Sequence, residues 1–391
     1  MSAPAQYPFD QTHPLQVAPG LRELLSQGLI HRVRTAVGDE AWLITGYEQV
    51  RRLLTDDRLG RSHPRPETAA RTGKSALFGG PLGDFATEQA DHARMRSLLQ
   101  PHFSPKHLQA LRSQVETLTT RLLDELAEHG PPADLLAMLA VPLPVLVICE
   151  LLGVPYEDRD RFRAWTQAAA DVGDRAQSEQ GLAELFGYSL KLVARKRNEP
   201  GDDVISRLCA TDGVCDAEAA KLSMFLLFAG HETTVVQIGW GALLLLINRE
   251  QWQGLYNDPS LAASAVEEIL RAPGNGGGGI PRYARTDFEI DGVAVHAGDL
   301  VLLDVVAANH DPAVFTDPDR ADITRHAAAH LSFGYGPRYC IGAPLARIEL
   351  QVVFSQLIPR FPTMHLAVGV EELRVRHNVL TGGLVELPVK W

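Results

Sequence analysis

The stretch of sequence with the clearest chemical potential is F333-G-Y-G-P-R-Y-C-I-G342, near the C-terminal end of the 391-residue chain. It sets Cys340 among glycines and beside Arg338, at the start of a run of good helix formers. A helix N-terminus favours a thiolate, and glycines let a flat ligand approach the backbone. A lone thiolate without a partner ligand suits a haem iron, because the macrocycle supplies the equatorial bonds. The alternative is that Cys340 is a small buried hydrophobe in a tight turn.

A second group with chemical potential is the acid–alcohol pair Glu232–Thr233, inside A229-G-H-E-T-T234. Such a pair is unfavourable in the middle of a helix, so its presence there predicts a function. Glu232 can relay protons, the Thr233 hydroxyl can hold a small ligand, and Gly230 can let that ligand approach the backbone. The alternative is a satisfied polar turn within a buried helix.

The element that positions this pair is an apolar segment, residues 222–247, which is long enough to span a bilayer. Its polar centre argues against that placement, because Glu232 at mid-bilayer would cost about 2.5–3.5 kcal/mol on insertion scales. A long helix buried inside a globular protein explains the pattern better. Asp216 can cap this helix, which we expect to run to about Arg249.

Helical patterns dominate the rest of the chain. Leu108–Glu128 carries an apolar stripe with a 3.6-residue repeat, and Asp258-Pro259 opens another helix that Ala272-Pro273-Gly274 ends. No repeat and no Gly/Ser linker divides the sequence. We therefore predict a mainly α fold with small β-sheets (α+β) in a single domain over residues 1–391, with no separate reductase or ferredoxin domain. The short strand patterns lie at residues 42–45, 288–290, 293–295 and 300–306.

Composition excludes several classes of partner. The formal net charge is -11, the pI is near 5.7, and no long Lys/Arg run occurs, so neither nucleic acid nor a membrane is expected as a partner. The N-terminus shows no secretory pattern, and the four cysteines show no Cys-x-x-Cys pair or zinc spacing. These features predict a protein of the reducing cytoplasm.

The string around Cys340 resembles the haem-binding loop Phe-x-x-Gly-x-Arg-x-Cys-x-Gly of the cytochrome P-450 monooxygenases. It matches that pattern at Phe333, Gly336, Arg338, Cys340 and Gly342. Chain length and the absence of a membrane anchor resemble the soluble bacterial branch of the family, and the termini and the stretch DPAVFTDPDRADITR look most like actinomycete members. Four further segments resemble the family's motifs in the family's order: H92-A-R-M-R96, A229-G-H-E-T-T234, E268-I-L-R271 and F315-T-D-P-D-R320.

The resemblance implies a cytochrome P-450-like fold with haem b (iron protoporphyrin IX) between the long central helix and the cysteine loop. Cys340 would be the thiolate ligand of the iron. Glu268, Arg271 and Arg320 would form a buried network that fixes the loop, although Glu268 and Arg271 alone would be read as a solvated pair. The residues that the resemblance assigns to cofactor binding are His92, Arg96, Arg282, Arg338, Gly230, Phe333, Gly336 and Gly342.

The function implied by the resemblance is insertion of one oxygen atom from O2 into a bulky apolar secondary metabolite: a polyketide, macrolide, aromatic or peptide-derived compound. Thr233 and Glu232 would activate oxygen, and ferredoxin with ferredoxin reductase would supply electrons. Arg94, Arg112 and Arg347 could form a basic patch for an acidic ferredoxin. The alternatives are an oxidase that couples aryl groups or closes rings without oxygen insertion, and a non-catalytic haem sensor or recruitment protein.

The segment G274-N-G-G-G-G279 replaces the short bulky segment that is usual after the Glu-x-x-Arg motif of the family. Five of its six positions lack a side chain, which predicts a widened pocket for a bulky substrate. The alternative is a flexible surface loop. The candidate pocket residues are Leu77, Phe78, Leu226, Ala229, Gly277, Gly278 and Leu380.

Overall fold

The computed structural model of the protein describes residues 4–274, 278–376 and 379–391. Helices make up most of the ordered elements, which confirms the predicted mainly α fold with small sheets. The α-helices within the described residues are α1 Pro19–Leu25, α2 Tyr47–Leu54, α3 Glu88–Leu99, α4 Pro105–His129, α5 Pro142–Leu152, α6 Arg159–Ala169, α7 Arg175–Asn198, α8 Val204–Ala210, α9 Asp216–Ile247, α10 Arg249–Asn257, α11 Ala262–Arg271, α12 Val305–Asn309 and α13 Ala343–Arg360.

The long central helix predicted from the apolar segment is α9, whose 32 residues give it a length of about 48 Å. It packs against α5, α6, α7, α8, α10, α11 and α13. A helix enclosed in this way can be apolar on nearly every side, which is why its sequence resembles a membrane span. None of the described helices has the length and apolar character needed to cross a bilayer.

Two other predicted helices are present with small shifts of their ends. The apolar stripe at 108–128 lies on α4, which begins three residues earlier. The helix expected from Asp258 starts as a 3-10 turn at Pro259–Leu261, where the Asp258 side chain accepts a hydrogen bond from the Ser260 N–H (3.0 Å), and continues as α11. Short turns with i→i+3 bonds are common at helix N-termini, so the shift is local.

Within the described residues the strands form three small sheets. The largest has the strand order β1-β2-β3-β9-β6-β4, the second β10-β11-β5, and the third is the hairpin β7-β8. Their bounds are β1 Ala5–Gln6, β2 Ile30–Arg34, β3 Glu40–Ile44, β4 Leu59–Gly60, β5 Ala133–Asp134, β6 Ile280–Ala284, β7 Phe288–Ile290, β8 Val293–Val295, β9 Leu300–Leu303, β10 His365–Leu366 and β11 Pro388–Lys390.

The predicted strand over 300–306 is too long. Strand β9 ends at Leu303, because the Asp304 side chain accepts a hydrogen bond from the Ala307 N–H (2.9 Å) and caps helix α12. The Tyr7 hydroxyl donates to the same carboxylate (2.9 Å), so the N-terminal segment is tied to this corner. A side-chain cap of this kind satisfies backbone donors at a helix start and ends the strand.

Candidate active site

The Cys340 loop is a tight turn held by its own backbone. The Cys340 N–H donates to the Phe333 carbonyl (2.8 Å), and Gly334 and Gly336 each have a φ of 71°, which favours glycine. The Gly342 and Ala343 N–H groups, at the start of α13, point at the Cys340 sulfur. Burial raises the pKa of the Cys340 thiol, and these two N–H groups act in the opposite direction. The sulfur therefore has the donors that a thiolate needs at one side.

Phe333 anchors the loop through its ring. The Arg347 guanidinium lies 4.7 Å from the centroid of that ring, and the Tyr339 ring lies 6.1 Å from it, edge to face. Arg347 is in turn fixed by two hydrogen bonds to Glu267 (2.6 and 2.8 Å) and one to the Tyr339 hydroxyl (3.0 Å). The loop is thereby joined to α11 and α13 through charged and aromatic contacts.

Helix α3 presents three polar residues on one face. Glu88, His92 and Arg96 are four residues apart, so they stack along the same side of the helix. Arg96 donates to the Tyr339 carbonyl in the Cys340 loop (2.8 Å). Glu88 accepts hydrogen bonds from the Arg61 N–H (2.8 Å) and from the Ser62 N–H (3.0 Å). This face therefore meets both the cysteine loop and the segment after β4.

Strand pairing brings two further arginines beside α3. Strands β4 and β6 are antiparallel, with Gly60 opposite Tyr283, so Arg61 and Arg282 follow on at adjacent positions. Gly60 is needed here because a Cβ would lie 2.6 Å from a carboxylate oxygen of Glu88. Arg338 of the cysteine loop donates to the same carboxylate (2.5 Å). The segments that carry these arginines are far apart in sequence.

The resulting cluster has more positive than negative groups. Burial, followed by repulsion from Arg61 and Arg338, lowers the pKa of Arg282 to about 9. Burial and Arg338 lower the pKa of Arg61 to about 10. Burial and the neighbouring arginines lower the pKa of His92 to about 4, so this imidazole is neutral at pH 7. Although burial alone would raise it, hydrogen bonds from Ser62 and Arg61 lower the pKa of Glu88. The cluster therefore favours an anionic ligand.

One face of α9 keeps accessible surface although other helices enclose this helix. Ala229, Gly230 and Gln237 are half-buried and Thr233 is exposed, whereas their neighbours along this enclosed helix are buried. The four positions share one face because they are three or four residues apart. The Thr233 hydroxyl donates to the Ala229 carbonyl (3.1 Å), which leaves the lone pairs of its oxygen available.

The tight packing at Gly230 has its own physical reason. A Cβ at this position would lie 2.5 Å from Cδ1 of Ile148, so glycine lets α9 and α5 approach closely. The sequence analysis predicts that Gly230 lets a ligand approach the helix backbone. Close helix–helix packing is sufficient to require glycine here, whatever the ligand does.

The carboxylate of Glu232 is held by an arginine from the C-terminal part of the chain. Both terminal nitrogens of Arg376 lie 3.4 Å from one oxygen of Glu232, whose side chain is 7% exposed. Arg376 also donates to the Gly382 carbonyl (3.1 Å). His231 lies on the other side, with Nε2 3.7 Å from the second oxygen of Glu232. The acid is thus oriented by a contact that the sequence motif does not contain.

Comparison with known proteins identifies the family of this chain. The family model of cytochrome P-450 matches residues 189–368. The chain is 44% identical to pentalenolactone synthase of Streptomyces exfoliatus over 98% of both chains. This chain belongs to the cytochrome P-450 family. It is also 40% identical to the mycinamicin IV hydroxylase/epoxidase of Micromonospora griseorubida over 99% of both chains. The substrate-free structure of PimD, a polyene macrolide antibiotic pimaricin epoxidase, superposes with a TM-score of 0.89 at 38% identity and covers all of both chains.

Membership makes the chain a cytochrome P-450 monooxygenase with a haem held by a cysteine thiolate. The residues present fit that cofactor. Cys340 is a free thiol with accessible surface, and the Gly342 and Ala343 N–H groups point at its sulfur. The arginine cluster carries excess positive charge, which the carboxylates of a haem would neutralise. The accessible face of α9 provides room for a ligand beside the buried apolar body.

The predicted network of Glu268, Arg271 and Arg320 is wrong in its third member. Arg271 donates to both oxygens of Glu268 (2.8 Å each), and both side chains are fully buried. Arg320 instead pairs with Asp322 (2.8 Å) and its side chain is 67% exposed. The turn formed by the Arg325 N–H and the Asp322 carbonyl (3.0 Å) points Arg325 inward, 3.3 Å from Glu268.

The candidate pocket residues have mixed surroundings. Phe78 stacks on Phe228 of α9 with ring centroids 5.6 Å apart. Leu226 is buried, whereas Ala229 on the inner face of α9 is half-buried. The Leu77 and Leu380 side chains pack against the same large apolar cluster. Their position around a substrate stays a prediction.

The glycine run after α11 is only partly described. Gly277 lies outside the described residues. A Cβ at Gly274 would lie within 2.4 Å of backbone atoms of Gln16 and Val17, so that glycine allows two backbones to touch. A Cβ at Gly278 would meet only Tyr7, at 3.9 Å, which leaves room for a side chain. The pocket-wall role of Gly278 stays a prediction.

Sequence reasoning missed four polar residues of this region: Arg61, Glu88, Arg325 and Arg376. Each contacts a predicted site residue or shares its charge cluster. None of these four residues lies in one of the motifs named in the sequence analysis. Glu88 had one local signal, because it lies one helical turn before His92 on the same face. The other three are brought in by strand pairing and turns.

Proposed function

We propose that the chain is a haem-thiolate monooxygenase that inserts one oxygen atom from O2 into a bulky apolar secondary metabolite. Cys340 is the iron ligand and the cofactor is haem b. The observation that carries the proposal is the Cys340 loop, where a free thiol receives two backbone N–H groups at the start of α13. When bound, the haem supplies the redox and oxygen-transfer chemistry that protein side chains lack.

The arginine cluster has the role of orienting the cofactor. Arg96, Arg282 and Arg338, with neutral His92, surround a space that carries excess positive charge. Arginine binds carboxylates through two parallel hydrogen bonds, which fixes orientation as well as energy. These residues therefore hold the haem propionates. Phe333, Gly336 and Gly342 shape the Cys340 loop on one side of the cofactor, and Gly230 shapes α9 on the other side.

Thr233 and Glu232 hold and deliver protons in the cavity. Thr233 is the accessible hydroxyl on the inner face of α9, and a hydroxyl there can accept one hydrogen bond while it donates another. Glu232 is the adjacent carboxylate, and its contact with Arg376 keeps it oriented. An acid that rotates away from its arginine can carry a proton from water towards Thr233.

The substrate class is supported by the relatives. By their names, one relative acts on mycinamicin IV and another, PimD, on the polyene macrolide antibiotic pimaricin. In this chain, Leu77, Phe78, Leu226 and Leu380 provide apolar surface, and Gly278 removes side-chain volume. We infer that the pocket accepts a multi-ring or macrocyclic compound.

The electron donor is proposed to be a ferredoxin that a ferredoxin reductase supplies. The basic patch predicted for its docking is weaker than expected, because each arginine has an acidic partner. Arg94 pairs with Glu218 (2.5 Å), Arg112 with Glu116 (3.1 Å) and Arg347 with Glu267 (2.6 Å). Paired charges contribute little net potential, so electrostatic steering by these three residues should be small.

The ligand assignment is tested by spectroscopy of the reduced carbon monoxide complex. We expect the red-shifted Soret band of thiolate ligation in the parent and its loss in Cys340→Ala. Cys215→Ser is the matched control, since Cys215 is a free exposed cysteine elsewhere in the chain. A band that survives in Cys340→Ala, or that disappears in Cys215→Ser, would overturn the assignment.

A further inference from the structure

Arg61 differs from the other arginines of the cluster. Arg96 donates to the Tyr339 carbonyl, Arg282 to the Pro281 carbonyl and Arg338 to Glu88. Within residues 4–274, 278–376 and 379–391 the Arg61 guanidinium donates no hydrogen bond and has no carboxylate oxygen within 4.0 Å, and Glu88 acts on it only from a longer distance. A half-buried guanidinium without a partner is costly to the fold, so its retention points to a ligand.

The position of Arg61 links the charge cluster to the apolar pocket. Its guanidinium carbon lies 5.3 Å from the centroid of the Phe78 ring. The same ring stacks on Phe228 of α9, with ring centroids 5.6 Å apart and an interplanar angle of 29°. Arg61 therefore extends from the segment after β4 to the aromatic pair of Phe78 and Phe228, which lies beside α9. The cation–π contact also holds the guanidinium in place.

The charges around Arg61 do not balance after the cofactor is included. Four guanidinium groups, those of Arg61, Arg96, Arg282 and Arg338, face Glu88 and the two propionates of a haem. His92 adds no charge at pH 7 because its pKa is about 4. One positive charge remains, and Arg285, 3.4 Å from Glu88, adds another. A further anion is therefore favoured at this boundary.

We propose that Arg61 binds a carboxylate of the substrate, at the boundary between the haem-binding cluster and the pocket wall formed by Phe78. The substrate class is then a bulky apolar acid. This inference rests on the proposed function, since the pocket exists for substrate only if the chain holds haem. A haem propionate offers the same carboxylate chemistry and is the competing source. The two sources differ in what the loss of Arg61 changes.

The test uses purified haem-loaded enzyme and a panel of polycyclic natural-product acids, each paired with its methyl ester. Spin-state titration gives the Kd of both members of a pair. We expect the parent to bind at least one acid about ten-fold more tightly than its ester, which is typical for a charge-assisted pair. Arg61→Gln should reduce that ratio to about two-fold or less, and Arg61→Lys should keep part of it. Arg65→Gln, an exposed arginine of the same segment, should leave the ratio unchanged.

Three outcomes overturn the inference. The first is a parent enzyme that shows no preference for the acid in any pair. The second is an Arg61→Gln variant that keeps the full acid-to-ester ratio. If this variant also loses haem faster to apomyoglobin, Arg61 is assigned to a propionate instead. The third is a ratio that falls equally in Arg65→Gln. Failure of the proposed function is seen separately, because a parent without the thiolate carbon monoxide band fails before any titration.

Discussion

Replacing Arg325 by methionine should weaken the fold and the hold on haem, whereas replacing Arg320 should not. Arg325 approaches the buried Glu268 carboxylate at 3.3 Å and is 12% exposed. It also donates to the carbonyls of Thr316 (2.5 Å), Asp317 (3.1 Å) and Arg320 (3.1 Å), and so connects α11 to the segment before the cysteine loop. Methionine keeps the apolar stem and removes the guanidinium.

The magnitude follows from what each variant leaves behind. Breaking a buried ion pair costs about 3–5 kcal/mol when a charge is orphaned. In Arg325→Met the Glu268 carboxylate keeps its two bonds from Arg271, so we expect about 2–4 kcal/mol. The Arg320 pair with Asp322 is exposed on the arginine side, and its loss should cost less than about 1 kcal/mol.

The assay is thermal unfolding of both haem-loaded variants by far-ultraviolet circular dichroism, with haem loss to apomyoglobin as a second measurement. For 391 residues the unfolding entropy is about 0.8 kcal/mol/K, so Arg325→Met should lower Tm by roughly 2–5 °C. Arg320→Met should lower it by about 1 °C or less. If Arg320→Met is as damaging as Arg325→Met, or if Arg325→Met unfolds with the parent, the reasoning is refuted.

Three further predictions concern the cavity and the core. Thr233→Ala should retain haem and substrate binding while product formed per electron falls several-fold, and unchanged coupling would remove the proton-handling role. Arg376→Gln should loosen Glu232 and change the solvent isotope effect on turnover; Arg374→Gln, a 72% exposed neighbour, is the control that should not change it. Burial raises the pKa of Glu349 to about 8, so the folded protein binds a proton that the unfolded chain releases above about 4.5. Because the folded state keeps this proton and the unfolded state releases it, the free energy of unfolding falls as pH rises from about 4.5 to 8. Glu349→Gln should therefore gain about 2–3 kcal/mol at pH 7 in urea unfolding, and the gain should vanish near pH 4.5; an equal gain at both pH values would contradict the cause.

The local features of this protein were predictable from the sequence because their causes lie within a few residues. The glycines around Cys340 encode the turn that holds the thiol, whatever surrounds it. The largely apolar sequence of α9 predicts an enclosed helix, and the polar pair at its centre argues against a membrane span. Glu268 and Arg271 pair because they are three residues apart on one helix.

The charge arrangement was decided only by the tertiary structure. Arg61 and Arg282 are adjacent because β4 pairs with β6. The register of this pairing cannot be predicted from the residues of either strand alone. Arg325 rather than Arg320 meets Glu268 because a turn closed at Asp322 points one side chain inward and leaves the other in solvent. Arg376 reaches Glu232 from more than a hundred residues away. Charge acts through space and across chain separation, so the partners of a buried ionic group become known only when the chain is folded.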